Sequence, residues 1–551
     1  MIFSKSLRFS GAAVGAVAAL SAYGAQTAHA DTILKSGDRV VFYGDSITEQ
    51  RLYTRYIQQY IYCRYPKMKL NFYNAGWGGD TTVGALARLD RDVLVLKPTV
   101  VTLFFGMNDG HYTNTDASIT DLYRQNLEAI ITKLQANNVR VIVFTPGAVD
   151  PDKNPHLGEV HYNDNLAALG QAAIDLAKKH NCAYVDVHTP MLAYQTEHKA
   201  KDPKFFMIPD GVHPDPSGHL VMANIMLAGF NVDPMPDLGT VDVKSGTGSG
   251  LRVASKSGSV FNIEAQNPSV APFWIDGGNI GAAQDSGFAD RAEQRLTVKG
   301  LPKGTYSLNI DGGSSNDLTS DELAKGVKIA GTYSVAGQRI HDLTNKKENL
   351  YFTSWRDIRL PLTDIAGVDA AYNDLIAADG ALTSAIYAQA AGSAKSAITL
   401  SRLPSGPNLA QGKTYTASDP NVYNYGYGAL TDGSWEANGQ HCFASGDKDT
   451  FPKTATIDLG NSSKVASILL GVPAFGATKT IEVQVSTDGT QFTSVGSHTF
   501  DEAKEARYTY SFPAVDARYI RLSYPDHYKD GHGYSPLFSF TTECAVYAAE
   551  K

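Results

Sequence analysis

Residues 39–48 read RVVFYGDSIT, an apolar run that ends in Gly44, Asp45 and Ser46. The run Arg39–Tyr43 is rich in β-branched and aromatic residues, as expected for a strand that is buried on both faces of a sheet. A helical pattern begins soon afterwards, at about Gln50–Tyr65. Strands that alternate with helices form parallel sheets. The stretch therefore predicts an α/β domain in which Ser46 lies on a strand-to-helix turn.

The same alternation continues to about residue 235. Four further strand-like runs lie at Leu70–Tyr73, Thr99–Phe105, Val139–Thr145 and Ala183–Val187. Helical patterns follow at Val83–Leu96, Ile119–Asn137, Tyr162–His180 and Ser217–Phe230. We therefore predict that residues 31–235 form one parallel sheet with right-handed crossovers. In such sheets, ligands bind beyond the C-terminal ends of the strands.

Residues 1–30 have the features of a secretory signal peptide. Lys5 and Arg8 precede a run of small and apolar residues, and Ala28-His29-Ala30 is an A-x-A cleavage site. The apolar run is shorter than the ~18 residues that a membrane span needs. We therefore predict a secreted or periplasmic protein that begins at Asp31 and has no integral membrane span.

Composition bears on partners and on disulfide bonds. The 551-residue chain has 48 Lys and Arg against 56 Asp and Glu, a net charge of −8, so it has no basic excess with which to bind nucleic acid. Export permits disulfide bonds, and the predicted pairs are Cys63 with Cys182 and Cys442 with Cys544. Four buried thiols remain the open alternative.

Beyond the first domain, the pattern changes at Asp233–Asp237. Residues 236–405 predict a β-rich accessory region with a helical extension, at about Val335–Phe352 and Ile365–Ala391. Residues 406–551 follow a Pro- and Gly-containing linker and predict an all-β domain, with short strands separated by turns.

Four short segments of the first domain contain residues suited to acyl transfer. They are Val41–Thr48, Asn74–Thr82, Phe105–Asp109 and Asp210–Pro214. Acyl transfer needs a hydroxyl activated by an imidazole, a carboxylate that orients the imidazole, and donors for the oxyanion. The hydroxyl is that of Ser46, the imidazole that of His213 and the carboxylate that of Asp210. Each of them has an ordinary explanation when taken alone, but together they predict a hydrolytic site.

In order and context, these segments resemble those of SGNH (GDSL) hydrolases, a group that includes carbohydrate esterases. The resemblance covers about residues 37–230 and implies a flavodoxin-like, three-layer α/β domain. It implies that Ser46 is the nucleophile, that His213 is the general base and that Asp210 orients it. It also implies oxyanion donors at Gly79 and Asn108, with Gly78 as the competing glycine, and no cofactor for catalysis.

Residues 408–549 resemble discoidin-like (coagulation-factor type C, galactose-binding-like) domains. The resemblance rests on segments such as Asn408–Lys413, Ala429–Gly433 and Ala517–Leu522. It implies a jelly-roll β-sandwich that acts as a carbohydrate-binding module. It also implies a structural Ca²⁺ at Asp432 and Glu543, although Ser434 stands where a second acidic residue is common.

Taken together, these features predict a secreted serine esterase that deacetylates a polysaccharide or oligosaccharide through an acyl-enzyme. Its partner would be an acetylated polysaccharide or glycan. A lipid-directed esterase or phospholipase is one alternative, although no amphipathic lid stands out in the first domain. A non-catalytic surface lectin or adhesin is the other, although the complete set Ser46, Asp210 and His213 argues against it.

Overall fold

The computed structural model describes residues 32–257, 259–265, 273–275, 280–310, 313–314, 317–329, 335–393, 397–423, 429–437 and 441–549. The predicted signal peptide and its cleavage site lie outside these residues. The chain forms two compact units. The first comprises the described residues within Met1–Leu238, Asn267–Arg295 and Lys328–Lys395, and the second those within Gly239–Gln266, Leu296–Val327 and Ser396–Lys551. The stretch 236–405, predicted as one accessory region, is therefore divided between both units.

A five-stranded parallel sheet forms the centre of the first unit. Its strands are β1 (Arg39–Gly44), β2 (Asn71–Gly76), β3 (Val100–Phe104), β4 (Arg140–Phe144) and β5 (Ala183–Val185). They lie in the order β2-β1-β3-β4-β5. Gly44 at the end of β1 pairs with Gly76 of β2 and with Phe104 of β3, so three strands end at the same edge. The predicted parallel α/β domain is confirmed.

Helices account for most of the remaining first unit, and Ser320–Lys325 of the second unit is also helical. In chain order the helices are α1 (Ser46–Glu49), α2 (Leu52–Arg64), α3 (Thr82–Asp92), α4 (Ala117–Ala136), α5 (Pro155–Glu159), α6 (Tyr162–Lys179), α7 (His188–Lys201), α8 (Pro216–Gly229), α9 (Ile280–Asp285), α10 (Phe288–Ala292), α11 (Ser320–Lys325), α12 (Val335–Phe352) and α13 (Val368–Ser393). The sequence did not predict α5 and α7. In α7 charged and polar residues such as Gln195, Glu197 and Lys199 obscure the apolar face.

Side chains alternate between the two faces of the sheet, and helices cover both. Val40 and Phe42 of β1 belong to a core with residues of α2 and α8, whereas Val41 and Tyr43 belong to a core with residues of α3, α4 and α6. All four of these β1 side chains are fully buried. This arrangement gives the three layers of the α/β domain.

Helices α12 and α13 cover the edge of the sheet formed by β2. The Lys347 ammonium of α12 donates to the carbonyl oxygen of Phe72 at 2.5 Å, and Tyr387 of α13 accepts from the N–H of Leu70 at 2.6 Å. Lys347 also forms a buried ion pair with Asp379 at 3.1 Å. An uncovered edge strand would offer unpaired backbone groups to other chains. The two helices therefore complete the first unit.

Mostly antiparallel sheets form the second unit, in which the strands Gly239–Asp242 and Gln294–Lys299 pair in parallel. The later strands are β6 (Gly239–Asp242), β7 (Gly248–Ser249), β8 (Leu251–Ser257), β9 (Val260–Ala265), β10 (Gln294–Lys299), β11 (Thr305–Ile310), β12 (Gly313–Ser314), β13 (Leu318–Thr319), β14 (Val327–Ile329), β15 (Ala397–Arg402), β16 (Tyr415–Ala417), β17 (Phe443–Ala444), β18 (Lys453–Val472), β19 (Thr480–Ser486), β20 (Thr493–Thr499), β21 (Ala506–Tyr524), β22 (Phe540–Thr541) and β23 (Cys544–Ala548). Strands β16, β18, β21, β19 and β20 are consecutive neighbours in the C-terminal sheet. Ile457, Ile468 and Leu522 lie in its core. The predicted all-β C-terminal domain is confirmed.

The predicted disulfide bonds are wrong, and the alternative of four buried thiols holds for three of them, since Cys182 is only partly buried. None of the four cysteines is joined to another by a disulfide bond in the described structure. Cys63 belongs to the core on one face of the first sheet, whereas Cys182 packs against the core on the opposite face. Burial raises the pKa of Cys544 well above its usual value. Within the described part of the chain, no helix is long and apolar enough to cross a membrane.

Candidate active site

Ser46 begins helix α1, directly beyond the end of β1. Asp45 precedes the helix as its N-cap, and its carboxylate accepts the N–H of Ile47 at 3.0 Å. This cap fixes the turn that presents the serine at the edge of the sheet. Burial, together with the charges of Asp109 and Asp80, raises the pKa of Asp45 to about 7.

A chain of hydrogen bonds joins Ser46 to His213 and Asp210. Ser46 Oγ lies 2.9 Å from His213 Nε2, and His213 Nδ1 lies 2.7 Å from Asp210 Oδ2. The other carboxylate oxygen of Asp210 accepts the N–H groups of Val212, at 2.9 Å, and His213, at 2.7 Å. This turn explains how residues three positions apart bring a carboxylate against a ring. The structure therefore brings these three predicted residues together.

The charge of Asp210 depends on the same hydrogen bonds. Partial burial raises its pKa, but the hydrogen bonds from the backbone and ring of His213 outweigh burial and lower it below the usual value. Asp210 is therefore ionised at neutral pH and can hold the imidazole in one orientation.

Gly79 and Asn108 lie in the loops that follow β2 and β3. Asn108 Nδ2 donates to the carbonyl oxygen of Asp80 at 2.9 Å, and its Oδ1 accepts from the Tyr112 hydroxyl at 2.8 Å. These bonds leave the second Nδ2 hydrogen without a partner among the residues described. Gly79 has a φ of 71°, in the left-handed region that favours glycine. A Cβ at Gly78 would lie 2.8 Å from Glu49 Oε2, so that glycine allows a close approach instead.

Two buried carboxylates that the sequence did not single out hold these loops. Asp109 accepts the N–H and hydroxyl of Thr82, at 2.8 and 2.5 Å, and the N–H of Gly106 at 3.1 Å. Asp80 forms an ion pair with Arg88 at 2.7 Å. The only sequence signal for Asp109 is its position directly after Asn108. This network ties the loops after β2 and β3 to the start of α3.

A cavity of about 350 Å³ opens beside the serine. It is lined by Ser46, Glu49, Gln50, Arg51, Asp210, His213 and Phe352. Neither Gly79 nor Asn108 lines it. Phe352 is the last residue of α12, so the helical extension supplies one wall of the cavity. Sequence reasoning missed four of these residues, namely Glu49, Gln50, Arg51 and Phe352.

A π-helical turn, Thr353–Arg359, continues this wall. The Arg356 guanidinium lies 3.2 Å from the centre of the Trp77 ring and 3.3 Å from a carboxylate oxygen of Glu49. Trp355 packs edge-on against Trp77, with ring centres 6.1 Å apart. Because Trp77 precedes Gly78 and Gly79, these contacts hold the loop that contains both glycines.

Residues 42–221 match the GDSL-like lipase/acylhydrolase family. The chain carries a GDSL-like hydrolase domain. An acetylxylan esterase of Geobacillus stearothermophilus is 22% identical to the chain in an alignment of 213 positions, which covers 35% of this chain and 93% of that protein. The GDSL-like domain makes the protein a carboxylic ester hydrolase with a serine nucleophile.

Two further comparisons concern the rest of the chain. Residues 429–522 match a NedA-like, galactose-binding domain. The solved structure of a gut microbial diltiazem-metabolizing enzyme is 20% identical in sequence to this chain, with a TM-score of 0.52. The match covers 68% of this chain and 99% of the chain in that structure. This likeness supports the multidomain fold, with the GDSL-like domain followed by β domains.

The predicted calcium residues lie together in the galactose-binding domain. Glu543 Oε2 accepts the N–H of Gly433 at 3.0 Å, and Asp432 Oδ2 lies 2.7 Å from His441 Nδ1. His441 thus hydrogen-bonds to one of the Asp432 carboxylate oxygens that would otherwise be open to a cation. In the described parts of the chain, no group of three or more His, Cys, Asp or Glu side chains could hold a metal ion. The calcium site at Asp432 and Glu543 stays a prediction.

Replacing Glu543 by Gln is expected to change how stability depends on pH. Burial, with the neighbouring charge of Asp432, raises the pKa of Glu543 to about 8. Between its unfolded value and pH 8 the folded protein therefore binds a proton that the unfolded chain releases, so stability falls as pH rises, by about 1.4 kcal/mol per unit at most. Urea unfolding at about pH 5 and pH 9 should show the wild type losing stability relative to Glu543→Gln at the higher pH.

A stability difference between wild type and Glu543→Gln that is equal at both pH values would contradict this assignment. Thermal unfolding of the same two proteins tests the calcium prediction. A melting temperature near pH 8 that rises with Ca²⁺ in the wild type, but not in Glu543→Gln, would support the calcium prediction.

Proposed function

We propose that this protein is an exported serine esterase that removes acetyl groups from a polysaccharide or oligosaccharide. Ser46 is the nucleophile, His213 is the general base and Asp210 orients it. The observation that carries this proposal is the unbroken chain of hydrogen bonds from Ser46 Oγ through both ring nitrogens of His213 to Asp210. These three side chains line a cavity, where an ester can reach the hydroxyl of Ser46.

The geometry supports a two-step reaction. Ser46 Oγ attacks the ester carbonyl carbon while its proton passes to His213 Nε2. The carbon–oxygen bond to the sugar then breaks, and the leaving oxygen takes that proton from His213. Water attacks the acyl-enzyme with the same proton transfers, which releases acetate and restores Ser46.

Hydrogen-bond donors near Ser46 stabilise the oxyanion. We assign this role to the backbone N–H groups of Ser46 and Gly79 and to the unpartnered Nδ2 hydrogen of Asn108. Tyr112 and Asp80 fix the orientation of the Asn108 amide in advance, so the donor needs no rearrangement during the reaction.

Polar and charged residues make up most of the cavity lining, which supports a small acyl group on a hydrophilic alcohol. Of the seven residues that line it, Phe352 alone has a wholly hydrocarbon side chain. A long acyl chain would need an apolar channel instead. The similarity to an acetylxylan esterase supports acetyl as the acyl group, and the galactose-binding domain supports a sugar polymer as its carrier. A binding domain on the same chain raises the local concentration of such a polymer.

Hydrolysis of p-nitrophenyl esters of increasing chain length tests this assignment. We expect kcat/KM for the acetate to exceed that for the octanoate by about 10-fold or more, because each misfitting group in a pocket costs on the order of 1–3 kcal/mol. A preference for the octanoate would favour a lipid-directed esterase. Failure of a fluorophosphonate to label Ser46 would favour a non-catalytic lectin or adhesin.

Replacing Asn108 by Ala is expected to lower kcat by about 10²- to 10³-fold, with a much smaller change in KM, because it removes an oxyanion donor. Initial rates with p-nitrophenyl acetate measure both constants. Tyr112→Phe is the matched control, since it removes the partner of Asn108 Oδ1 but keeps the donor. Equal losses in the two variants, or a kcat for Asn108→Ala close to that of the wild type, would contradict the assignment.

A further inference from the structure

The cavity beside Ser46 is lined by an arginine, Arg51, that forms no ion pair with the described residues. Its charged or ionisable lining residues are Glu49, Arg51, Asp210 and His213. Glu49 forms an ion pair with Arg356 at 3.3 Å, and Asp210 pairs with His213 at 2.7 Å. Among the described residues, no carboxylate lies within 4.0 Å of the Arg51 guanidinium nitrogens. Both acids of the cavity thus have an ion-pair partner, whereas Glu348, Glu49 and Asp357 attract Arg51 only from more than 4.0 Å away.

Neutral groups hold the Arg51 side chain in place. Its guanidinium carbon lies 4.1 Å from the centre of the Phe352 ring, and Nη1 donates to Asn349 Oδ1 at 3.3 Å. Its Nε is buried and has no hydrogen-bond partner. A buried donor without a partner is costly, and such groups in native proteins call for an explanation.

The backbone conformation of Arg51 also indicates a functional role. Its φ of 62° lies in the left-handed region, which is uncommon for a side chain of this size. Arg51 follows α1, the helix that begins with Ser46, and it caps the start of α2. The turn between these two helices therefore fixes the backbone of Arg51 close to the nucleophile in the chain. Strained backbone of this kind is concentrated at functional sites.

Glu348 on α12 attracts Arg51 but forms no ion pair with it. Glu348 is buried, and its carboxylate accepts from Thr54 at 3.2 Å and from Gln58 rather than from an arginine. Burial raises the pKa of Glu348 and so disfavours its charged form. The positive charge of Arg51 therefore remains available to a ligand in the cavity.

We propose that Arg51 binds a carboxylate of the substrate, so that the acetylated sugar chain is acidic and has a uronic acid next to the esterified residue. This inference rests on the proposed function, of which it names the substrate class. A guanidinium presents parallel N–H donors that match the two oxygens of a carboxylate. A carboxylate there would form an ion pair with Arg51 while the ester lies at Ser46.

A matched pair of substrates tests the inference. One is an acetylated oligosaccharide that contains a uronic acid, and the other is the same oligosaccharide with that carboxyl methyl-esterified. In the wild type we expect kcat/KM for the acid to exceed that for its methyl ester by about 10-fold or more, since charge-assisted hydrogen bonds are worth about 1.5–3 kcal/mol. Arg51→Gln should bring this ratio close to one, and Arg51→Lys should keep part of it.

Arg55→Gln is the control, because Arg55 bonds to Asn345 one turn further along α2 and does not line the cavity. Its ratio should equal that of the wild type. A wild-type ratio close to one, or an equal ratio in Arg51→Gln, would overturn the inference. Should Arg51→Gln fail to fold, the wild-type ratio and its decrease with added salt still decide the question.

Calorimetric binding separates failure of the inference from failure of the proposed function. Ser46→Ala should bind the acidic oligosaccharide at least 10-fold more tightly than Ser46→Ala/Arg51→Gln does. Binding with this dependence, but without acetate release by the wild type, would overturn the proposed function alone. Acetate release by the wild type without preference for the acid would overturn the role of Arg51 alone.

Discussion

Replacing Ser46 by Ala is expected to lower kcat by about 10⁵- to 10⁶-fold, the loss seen when the nucleophile of a serine hydrolase is removed. The substitution removes the one oxygen that forms the acyl-enzyme, and no other described side chain of the cavity offers a hydroxyl. Acetate release and p-nitrophenol release both measure the loss. Stability should change little, because the hydroxyl of Ser46 bonds to His213 and to no core group.

Labelling provides the control for this substitution. A fluorophosphonate should modify the wild type at one residue, Ser46, and should leave the folded Ser46→Ala variant unmodified. A variant that unfolds at the wild-type temperature and hydrolyses p-nitrophenyl acetate at the wild-type rate would show that another group is the nucleophile.

Asp210→Asn is expected to lower kcat by about 10⁴-fold. An amide in place of the carboxylate can still accept the N–H groups of Val212 and His213 through its oxygen, so the turn survives. It would, however, present N–H hydrogens to His213 Nδ1 where Oδ2 now accepts, and the imidazole would be held in the wrong tautomer. The loss should therefore appear in kcat, while the melting temperature changes little.

A neighbouring carboxylate offers the matched control for Asp210→Asn. Asp215 caps α8, where it accepts the N–H of Gly218 at 3.0 Å, and it does not bond to His213. Because Asn caps a helix about as well as Asp does, Asp215→Asn should keep nearly full activity. Equal losses in both variants would mean that Asp210 acts through the loop and not on the imidazole.

Local patterns predicted the central sheet well, and they singled out three residues that the structure joins by hydrogen bonds. The strands are buried on both faces, so their apolar runs stand out, and Ser46 follows directly from the end of β1. Asp210 and His213 lie three residues apart, which one turn can bring together. These signals are contained within a few residues of sequence.

Contacts between distant segments were not predictable in this way. Phe352 and Arg356 lie about 300 residues after Ser46, and nothing in their own sequence shows that Phe352 lines the cavity or that Arg356 pairs with Glu49. The division of 236–405 between two units likewise depends on which segments fold back on the first sheet. The pairing of Cys63 with Cys182 failed for the same reason, because the sheet separates their cores.

Acetate release from acetylated polysaccharides tests the proposed function most directly. The polymers are xylan, xyloglucan, pectin, mannan and peptidoglycan, each incubated with the wild type and with Ser46→Ala. We expect the wild type to release acetate from at least one polymer and the variant to release none above the uncatalysed rate. Equal release by the two proteins, or no release from any polymer by a wild type that prefers long-chain esters, would contradict a Ser46-dependent polysaccharide deacetylase.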